Sequence, residues 1–151
     1  MSSTLYAAGR AARQSGDLQG LIDAVPYARF LGIRSAAPES SALLQLPFRE
    51  GLVGNPALPA IHGGVTAAFM ENAALLCLLL RLDVLRMPKS VDFAIDYLRS
   101  GRPLTLYADA EISRVGSRVA HVSVRCWQDQ VQQPIALARG HFLLEPAPES
   151  A

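Results

Sequence analysis

The residues with the clearest chemical potential lie in one segment, Ile61-His62-Gly63-Gly64-Val65, followed by a carboxylate, Glu71, nine positions after the histidine. Paired glycines let a ligand approach the backbone closely, because neither residue carries a Cβ. Unpaired N–H groups at a helix start, with the positive end of the helix dipole, polarise a carbonyl or hold an anion. A carboxylate in apolar surroundings has its charged form disfavoured, which suits it to general-base or nucleophilic work. The segment therefore contains the parts of an oxyanion-type site and a candidate base.

The spacing of His62 and Glu71 prevents them from serving one reacting atom from the same helix. Nine residues of α-helix span about 13 Å and about half a revolution, so the two side chains lie on opposite sides. Two copies of the helix lying antiparallel across a two-fold axis would place the Gly63 N–H of one copy opposite Glu71 of the other. On this ground we predict a homodimer with two sites.

Glu71 lies inside the longest apolar stretch of the chain, residues 64–82. A membrane span requires about 20 apolar residues without a carboxylate at the centre, and Glu71 and Asn72 interrupt this one. The stretch is apolar on nearly every side, which is not typical of a surface helix. We therefore predict a helix that is buried on most of its circumference inside a soluble fold.

Downstream of this helix the hydrophobic period changes from 3.6 to 2, which is typical of half-buried antiparallel strands. Upstream, a shorter apolar run predicts one more strand, and the remaining segments predict a short helix with a loop and a frayed or docked N-terminal helix. One long apolar helix against a curved antiparallel sheet buries both economically, so we expect an α+β fold in which the sheet wraps the helix. The predicted strands lie near residues 41–48, 91–97, 104–113, 120–126 and 135–144, the short helix and loop at 18–31, and the N-terminal helix at 1–16.

Length and composition set the broad class. The chain has 151 residues, and its 14 Lys and Arg against 13 Asp and Glu give a formal charge of +1, which disfavours nucleic acid as a partner. We predict an N-terminal extension (residues 1–16), a single domain (17–146) and a C-terminal tail (147–151). Cys77 and Cys126 are isolated in apolar runs, so we expect reduced core thiols and a cytoplasmic location, with a disulfide as the alternative. Metal-ligand spacing is not found in the sequence.

Four features together resemble a known family: Asn55, the His62-Gly63-Gly64 triplet, Glu71, and Ser90-Val91-Asp92 at the start of the first long strand. They resemble the hotdog-fold acyl-CoA thioesterases, and among these the PaaI-like, phenylacetate-degradation subgroup. The resemblance implies the hotdog version of the α+β fold, with a curved antiparallel sheet around one long helix. It also implies homodimers that often pair into tetramers, with no metal and no cofactor other than the coenzyme A of the substrate.

The same resemblance implies roles for individual residues. Glu71 matches the acid that activates water or attacks the thioester, and the Gly63 N–H matches the donor that polarises the thioester carbonyl. His62 matches the histidine that shapes and orients this loop. Asn55 matches an upstream amide that helps to position water or thioester, although the family's usual place is six residues before the histidine, where Pro56 stands.

Further substrate contacts are expected around this centre. Some relatives carry a hydroxyl one turn beyond the acid, where this chain has Leu75, and Ser90 on the following strand is the substitute. Gly64 and Asn72 flank the two central residues. Arginines, which suit phosphate, are candidates for the phosphates of coenzyme A, and the sequence offers Arg114 and Arg118.

Each candidate also has a structural interpretation. Glu71 could form an ion pair, His62 could cap the helix, the glycines could mark a plain helix start, and Asn72 could lie at a helix interface. His121 and His141 lie in strand patterns without an acid at useful spacing and are interpreted as structural.

The expected function is hydrolysis of an acyl-CoA or acyl-carrier-protein thioester, with that substrate and a second copy as partners, and neither a membrane nor nucleic acid. One alternative is a dehydratase of 3-hydroxyacyl thioesters on the same fold, which would use His62 as its base. Another is a non-catalytic module that binds acyl-CoA.

Overall fold

The apolar stretch around Glu71 forms α4 (Gly63–Arg81), the element around which the rest of the chain packs. The computed structural model describes residues 2–84 and 87–145, and the predicted tail lies outside this part of the chain. Ten of the nineteen residues of α4 are buried. Within the described residues α4 alone has the length and apolarity of a membrane span, and its burial against a sheet accounts for that composition.

A six-stranded antiparallel sheet covers α4, in the order β1-β2-β6-β7-β8-β5, and a small hairpin, β3–β4, precedes the helix. The pairs β6–β7, β7–β8 and β5–β8 form long ladders, whereas β1 and β2 are short. The fold is therefore the expected α+β hotdog arrangement, with a curved sheet around one long helix. The strands are β1 (Arg34–Ser35), β2 (Leu44–Leu46), β3 (Val53–Asn55), β4 (Ala60–Ile61), β5 (Lys89–Tyr97), β6 (Leu106–Val115), β7 (Val119–Trp127) and β8 (Ala136–Leu143).

The central strands follow the predicted alternation, because one face of each packs against α4. In β7 the even-numbered residues from Ala120 to Cys126 are buried, while Ser123 and Arg125 face outward. Cys77 on α4 and Cys126 are both buried and free, so the disulfide alternative is wrong. Burial raises the pKa of the Cys126 thiol to about 12, and it also raises the pKa of Cys77.

The first long strand, β5, departs from the predicted half-buried pattern. Only Phe93 and Ile95 are half-buried, and Val91 and Tyr97 are 65% and 52% exposed. The reason is position: β5 is an edge strand that pairs with β8 on one side only. Within the described part of the chain its other edge has no partner strand, so this edge presents unpaired backbone N–H and C=O groups.

The N-terminal part of the chain forms three helices, α1 (Ser2–Ser15), α2 (Leu18–Asp23) and α3 (Pro26–Leu31). The single short helix predicted at residues 18–31 is thus two, because Pro26 lacks the N–H that a continuous helix needs and instead starts α3. The strand predicted at 41–48 is confined to β2, since Ser41 has a positive φ and Pro47 cannot donate a ladder bond.

α1 docks on the central helix rather than fraying. The Arg13 guanidinium donates to the carbonyls of Leu79 (2.7 Å) and Leu82 (2.9 Å) at the end of α4, and it pairs with Asp83. A cation at a helix C-terminus interacts favourably with the exposed carbonyls. Residues 1–16 of the predicted extension therefore include a helix that supports α4.

Candidate active site

The β3–β4 hairpin directly precedes α4 and positions its first residues. The His62 N–H donates to Leu52 O (2.9 Å), and the Ile61 N–H donates to Gly101 O (2.9 Å) in the loop after β5. A Cβ at Gly54 would lie 2.7–2.8 Å from His62 atoms, including its Cα, so only glycine fits there. The hairpin and the β5 loop together fix the position of His62.

His62 is the N-cap of α4. Its Nδ1 accepts a hydrogen bond from the Gly64 N–H (2.8 Å), which satisfies one donor of the first turn. A Cβ at Gly64 would approach His62 Nδ1 to 2.9 Å, so glycine at this position lets the ring fold over the helix start. The capping interpretation of His62 is therefore confirmed.

The N–H of Gly63 is the donor that this capping leaves unused. The Val65 and Thr66 N–H groups donate to His62 O, whereas the Gly63 N–H has no acceptor among the described residues. It lies at the positive end of α4, where an unpaired N–H group stabilises negative charge on an oxygen. The start of the helix can therefore polarise a carbonyl.

A cavity of about 450 Å³ lies beside Gly63. Its walls include Thr66 from α4, together with Tyr97 and Arg99 from the end of β5 and the loop that follows. The Tyr97 hydroxyl donates to Gly63 O (2.7 Å). The cavity thus combines the free Gly63 N–H with a nearby cation, and its described lining residues do not include Glu71.

Glu71 lies half-buried in the middle of α4, where Ser90 on β5 reaches it. The Ser90 hydroxyl donates a short hydrogen bond to Glu71 Oε1. The other carboxylate oxygen of Glu71 accepts no hydrogen bond from a described residue. Ser90 therefore fixes the carboxylate while one oxygen stays available to a water molecule or a substrate.

Gly63 and Glu71 are not brought together within one chain. Eight residues of helix separate them by about 12 Å. Ser90 contacts Glu71 in the middle of α4, and Tyr97 contacts Gly63 at its start. The two strand residues are seven positions apart on β5, which is about 23 Å of extended strand. One chain therefore holds these two candidate residues in separate regions, the Gly63 and the Glu71 half-sites.

The two asparagines are engaged by their own surroundings. Asn55 ends β3, and its Oδ1 accepts from the Ala57 N–H (3.0 Å) in the hairpin turn. Asn72 is buried, and its amide donates to Ala68 O (2.9 Å) one turn earlier in α4. Both side-chain amides hydrogen-bond to nearby backbone groups, and neither residue is a described lining residue of the cavity beside Gly63.

Arg114 and Arg118 lie at the end of the sheet opposite Gly63. Arg114, near the end of β6, is opposite His121 in the register of the β6–β7 ladder. Arg118 is in the β6–β7 hairpin, where its carbonyl accepts a hydrogen bond from the Leu144 N–H (2.6 Å). Both side chains are exposed, at the end of the molecule that holds Ser90. They therefore belong to the Glu71 half of the structure.

The expectation that His141 has no acidic partner is wrong. Asp92 lies opposite it on β5, and Asp92 Oδ1 lies 2.8 Å from His141 Nδ1. The two residues are 49 positions apart, so helical or strand spacing along one segment could not reveal the pair. His121 stacks on His141 with ring centroids 4.5 Å apart.

Three further residues at the site escaped the sequence interpretation: Gly54, Tyr97 and Arg99. Gly54 is needed because of a collision with His62, and that contact exists only once the hairpin has formed. Tyr97 fits the alternating pattern of its strand, in which a tyrosine is an ordinary residue. Arg99 lies two residues further on, and only the fold brings it to the cavity beside Gly63.

Comparisons with known proteins find thioesterases among the proteins similar to this chain. A family model described as the thioesterase superfamily matches residues 58–135, which include the β4–α4 junction and β5 to β7. The medium/long-chain acyl-CoA thioesterase YigI of Salmonella typhimurium is 33% identical over 135 residues, which cover 80% of this chain and 86% of that protein.

Solved structures show the same fold. A crystal structure of a protein from Chromobacterium violaceum is 42% identical with a TM-score of 0.71, covering 91% of this chain and 96% of the other. A phenylacetic acid degradation-related protein from Ralstonia eutropha is 19% identical with a TM-score of 0.69, covering 90% and 98%.

Proposed function

The chain belongs to the thioesterase superfamily and is a thioester hydrolase, and on that premise we propose that it hydrolyses acyl-CoA to a carboxylic acid and coenzyme A. The name of the YigI relative supports acyl-CoA as the substrate class. The observation that carries the proposal is the Gly63 N–H, which is free at the start of α4 beside a cavity. The reaction consumes only water besides the thioester.

The proposed mechanism uses Gly63 and Glu71 in complementary roles. The thioester carbonyl oxygen accepts from the Gly63 N–H, so charge that develops on this oxygen is stabilised. The Glu71 carboxylate takes a proton from water as the water oxygen attacks the carbonyl carbon. The tetrahedral intermediate then collapses, the C–S bond breaks, and the thiolate receives the proton from Glu71. Direct attack by Glu71, through a mixed anhydride that water later opens, gives the same products.

We propose that the two half-sites are completed by a second copy of the chain. β5 is a nine-residue edge strand, and its two ends contact Gly63 at the start of α4 and Glu71 in the middle of α4. Antiparallel pairing with the β5 of a second copy, about a two-fold axis near Phe93 and Ala94, would bring the Ser90 end of one copy beside the Tyr97 end of the other. Each interface would then contain two complete sites, and a further pairing of dimers would leave them unchanged.

The dehydratase alternative requires His62 to accept a proton from the substrate. In this structure Nδ1 already accepts from the Gly64 N–H, so the neutral ring carries its proton on Nε2. Neither ring nitrogen then has a free lone pair for the substrate. Hydrolysis, in which Glu71 is the base, fits this arrangement better.

The experiment that tests the proposal is Glu71→Gln, assayed by thiol release over short, medium and long acyl-CoAs and phenylacetyl-CoA. Because glutamine keeps the size but cannot take the proton, we expect kcat to fall by about a hundredfold or more. Glu111→Gln, on the exposed face of β6, is the matched control and should keep wild-type turnover. Wild-type turnover in Glu71→Gln would remove Glu71 from the mechanism, and enoyl-thioester absorbance with a hydroxyacyl substrate would reveal dehydration instead.

A further inference from the structure

The ladder between β5 and β8 is irregular next to Ser90, the residue that hydrogen-bonds to Glu71. Ser90 is opposite Phe142, but Asp92 is opposite His141, so Val91 is an extra residue in β5. Such a β-bulge re-aims neighbouring side chains. Here it places Ser90 on the face of the sheet that packs against α4, and it places Asp92 on the outer face.

At the bulge, the Asp92 side chain accepts hydrogen bonds from His141 on the neighbouring strand. Its Oδ1 accepts from the His141 backbone N–H (2.9 Å) and lies 2.8 Å from His141 Nδ1. These hydrogen bonds from His141 hold the pKa of the Asp92 carboxyl below its ordinary value, so the acceptor is ionised at neutral pH. An ionised acceptor makes a stronger hydrogen bond than a neutral one. One side chain therefore ties the bulged strand to its neighbour.

The inner face of the bulge is equally constrained. Gly140 lies opposite Phe93, and a Cβ on it would come within 2.8 Å of the Phe93 ring and 3.0 Å of Asp92 O. Phe93 packs edge-on against the fully buried Phe142. The absence of a side chain at Gly140 thus lets β5 approach β8 closely beside the bulge.

We infer that Asp92 and His141 form a clamp on this bulge that aims the Ser90 hydroxyl at Glu71, and that they act on the reaction only through Ser90. This inference rests on the proposed function. Both clamp residues are on the outer face of the sheet, whereas Glu71 is on the helix side, so they are positioning residues and do not touch the substrate. The stacked ring of His121 covers the second face of the clamp and limits rotation of His141.

The test is a double-mutant cycle between Asp92→Ala and Ser90→Ala, with kcat and KM measured by thiol release from an acyl-CoA that the wild type hydrolyses. Asp92→Ala should lower kcat about tenfold and leave KM within about twofold, since small displacements at a reacting centre are costly. Ser90→Ala should lose at least as much. The double variant should be no slower than Ser90→Ala alone, because the clamp has nothing left to aim.

A conservative variant and a matched control complete the test. Asp92→Asn retains an oxygen that accepts from the His141 N–H, so it should keep turnover within about threefold of wild type. Asp96→Ala, an exposed carboxylate on the same strand, is the matched control and should behave as wild type. If Asp92→Ala does not fold, as judged by its thermal transition, His141→Ala takes its place in the cycle, alone and in the Ser90→Ala background, because it removes the second clamp residue.

The outcomes separate the two proposals. Losses that multiply in the double variant would overturn the inference, because Asp92 would then act independently of Ser90. Full activity of Asp92→Ala would overturn it as well. If the wild type releases no thiol from any acyl-CoA, or if Glu71→Gln is fully active, the proposed function fails first.

Discussion

The Tyr97 hydroxyl donates a 2.7 Å hydrogen bond to the Gly63 carbonyl, so the end of the edge strand is attached to the start of the central helix. At the other end of the same strand, Ser90 contacts Glu71. β5 therefore contacts both the start and the middle of α4, and its outer edge has no partner strand among the described residues.

A charge at the middle of β5 should separate two copies of the chain. Ala94 is exposed close to the proposed two-fold axis, so Ala94→Lys would bring two like charges together and oppose edge pairing. We expect a monomer by sedimentation velocity, an unchanged far-UV spectrum, and thiol release lowered by about tenfold or more. Ala94→Ser is the matched control and should remain dimeric. A fully active monomer would contradict the shared-site arrangement.

Gly54→Ala should damage the loop that holds His62. The new Cβ would lie 2.8 Å from the Cα of His62, and because this is a backbone atom, relief requires the hairpin to shift. We expect a loss of about 1–3 kcal/mol in the free energy of unfolding, measured with urea, and slower thiol release. Gly51→Ala is the control, since its Cβ would meet only the movable end of Arg49 at 3.3 Å. Equal stability of the two variants would show that the collision is not decisive.

Arg99 should contribute to the binding of coenzyme A rather than to chemistry. Its position beside the Gly63 cavity suits a phosphate that extends from a thioester bound there. Arg99→Ala should raise the KM for acyl-CoA about fivefold to tenfold at unchanged kcat, and should not affect an acyl N-acetylcysteamine thioester, which lacks phosphates. Arg118→Ala is measured in parallel. An effect confined to Arg118→Ala would place the phosphates in the Glu71 half instead.

Asp92 should make the stability of the protein depend on pH in the acid range. Hydrogen bonds from His141 lower the folded-state pKa of Asp92, so its contribution is present above the unfolded-state pKa and is lost as pH falls through the folded value. The difference in urea midpoint between wild type and Asp92→Asn should therefore shrink below about pH 4. Asp96→Asn is the control, because its carboxylate accepts no hydrogen bond from a described residue. A pH-independent difference would contradict the stabilising role of the ionised Asp92 carboxylate.

The elements that could be predicted are those with many residues contributing to one pattern. α4 begins one residue from its predicted start, and the central strands lie close to their predicted ranges, because burial on one face imposes a period over nine or more residues. The resemblance to the hotdog thioesterases is confirmed by the family match and by the fold. Short elements such as β1 and β4, with two residues each, leave no such pattern.

The candidate site was predicted as a set of residues and only in part as a geometry. Helical spacing alone was enough to separate His62 from Glu71. The contacts of Tyr97 with Gly63 and of Asp92 with His141 join segments that are far apart in sequence, so they depend on the strand register. The bulge at Val91 changes which side chains share a face, and an alternating pattern cannot show where a strand gains a residue.

The exposed edge of β5 has a consequence for how such an enzyme would behave in dilute solution. If the proposed dimer holds the Gly63 and Glu71 halves of each site on different polypeptides, turnover per chain would depend on the total protein concentration near the dissociation constant of the dimer. Expression level would then set specific activity as well as the amount of catalyst. A substrate that contacts both halves would bind the dimer more tightly than the monomer, so the thioester would itself favour dimerisation.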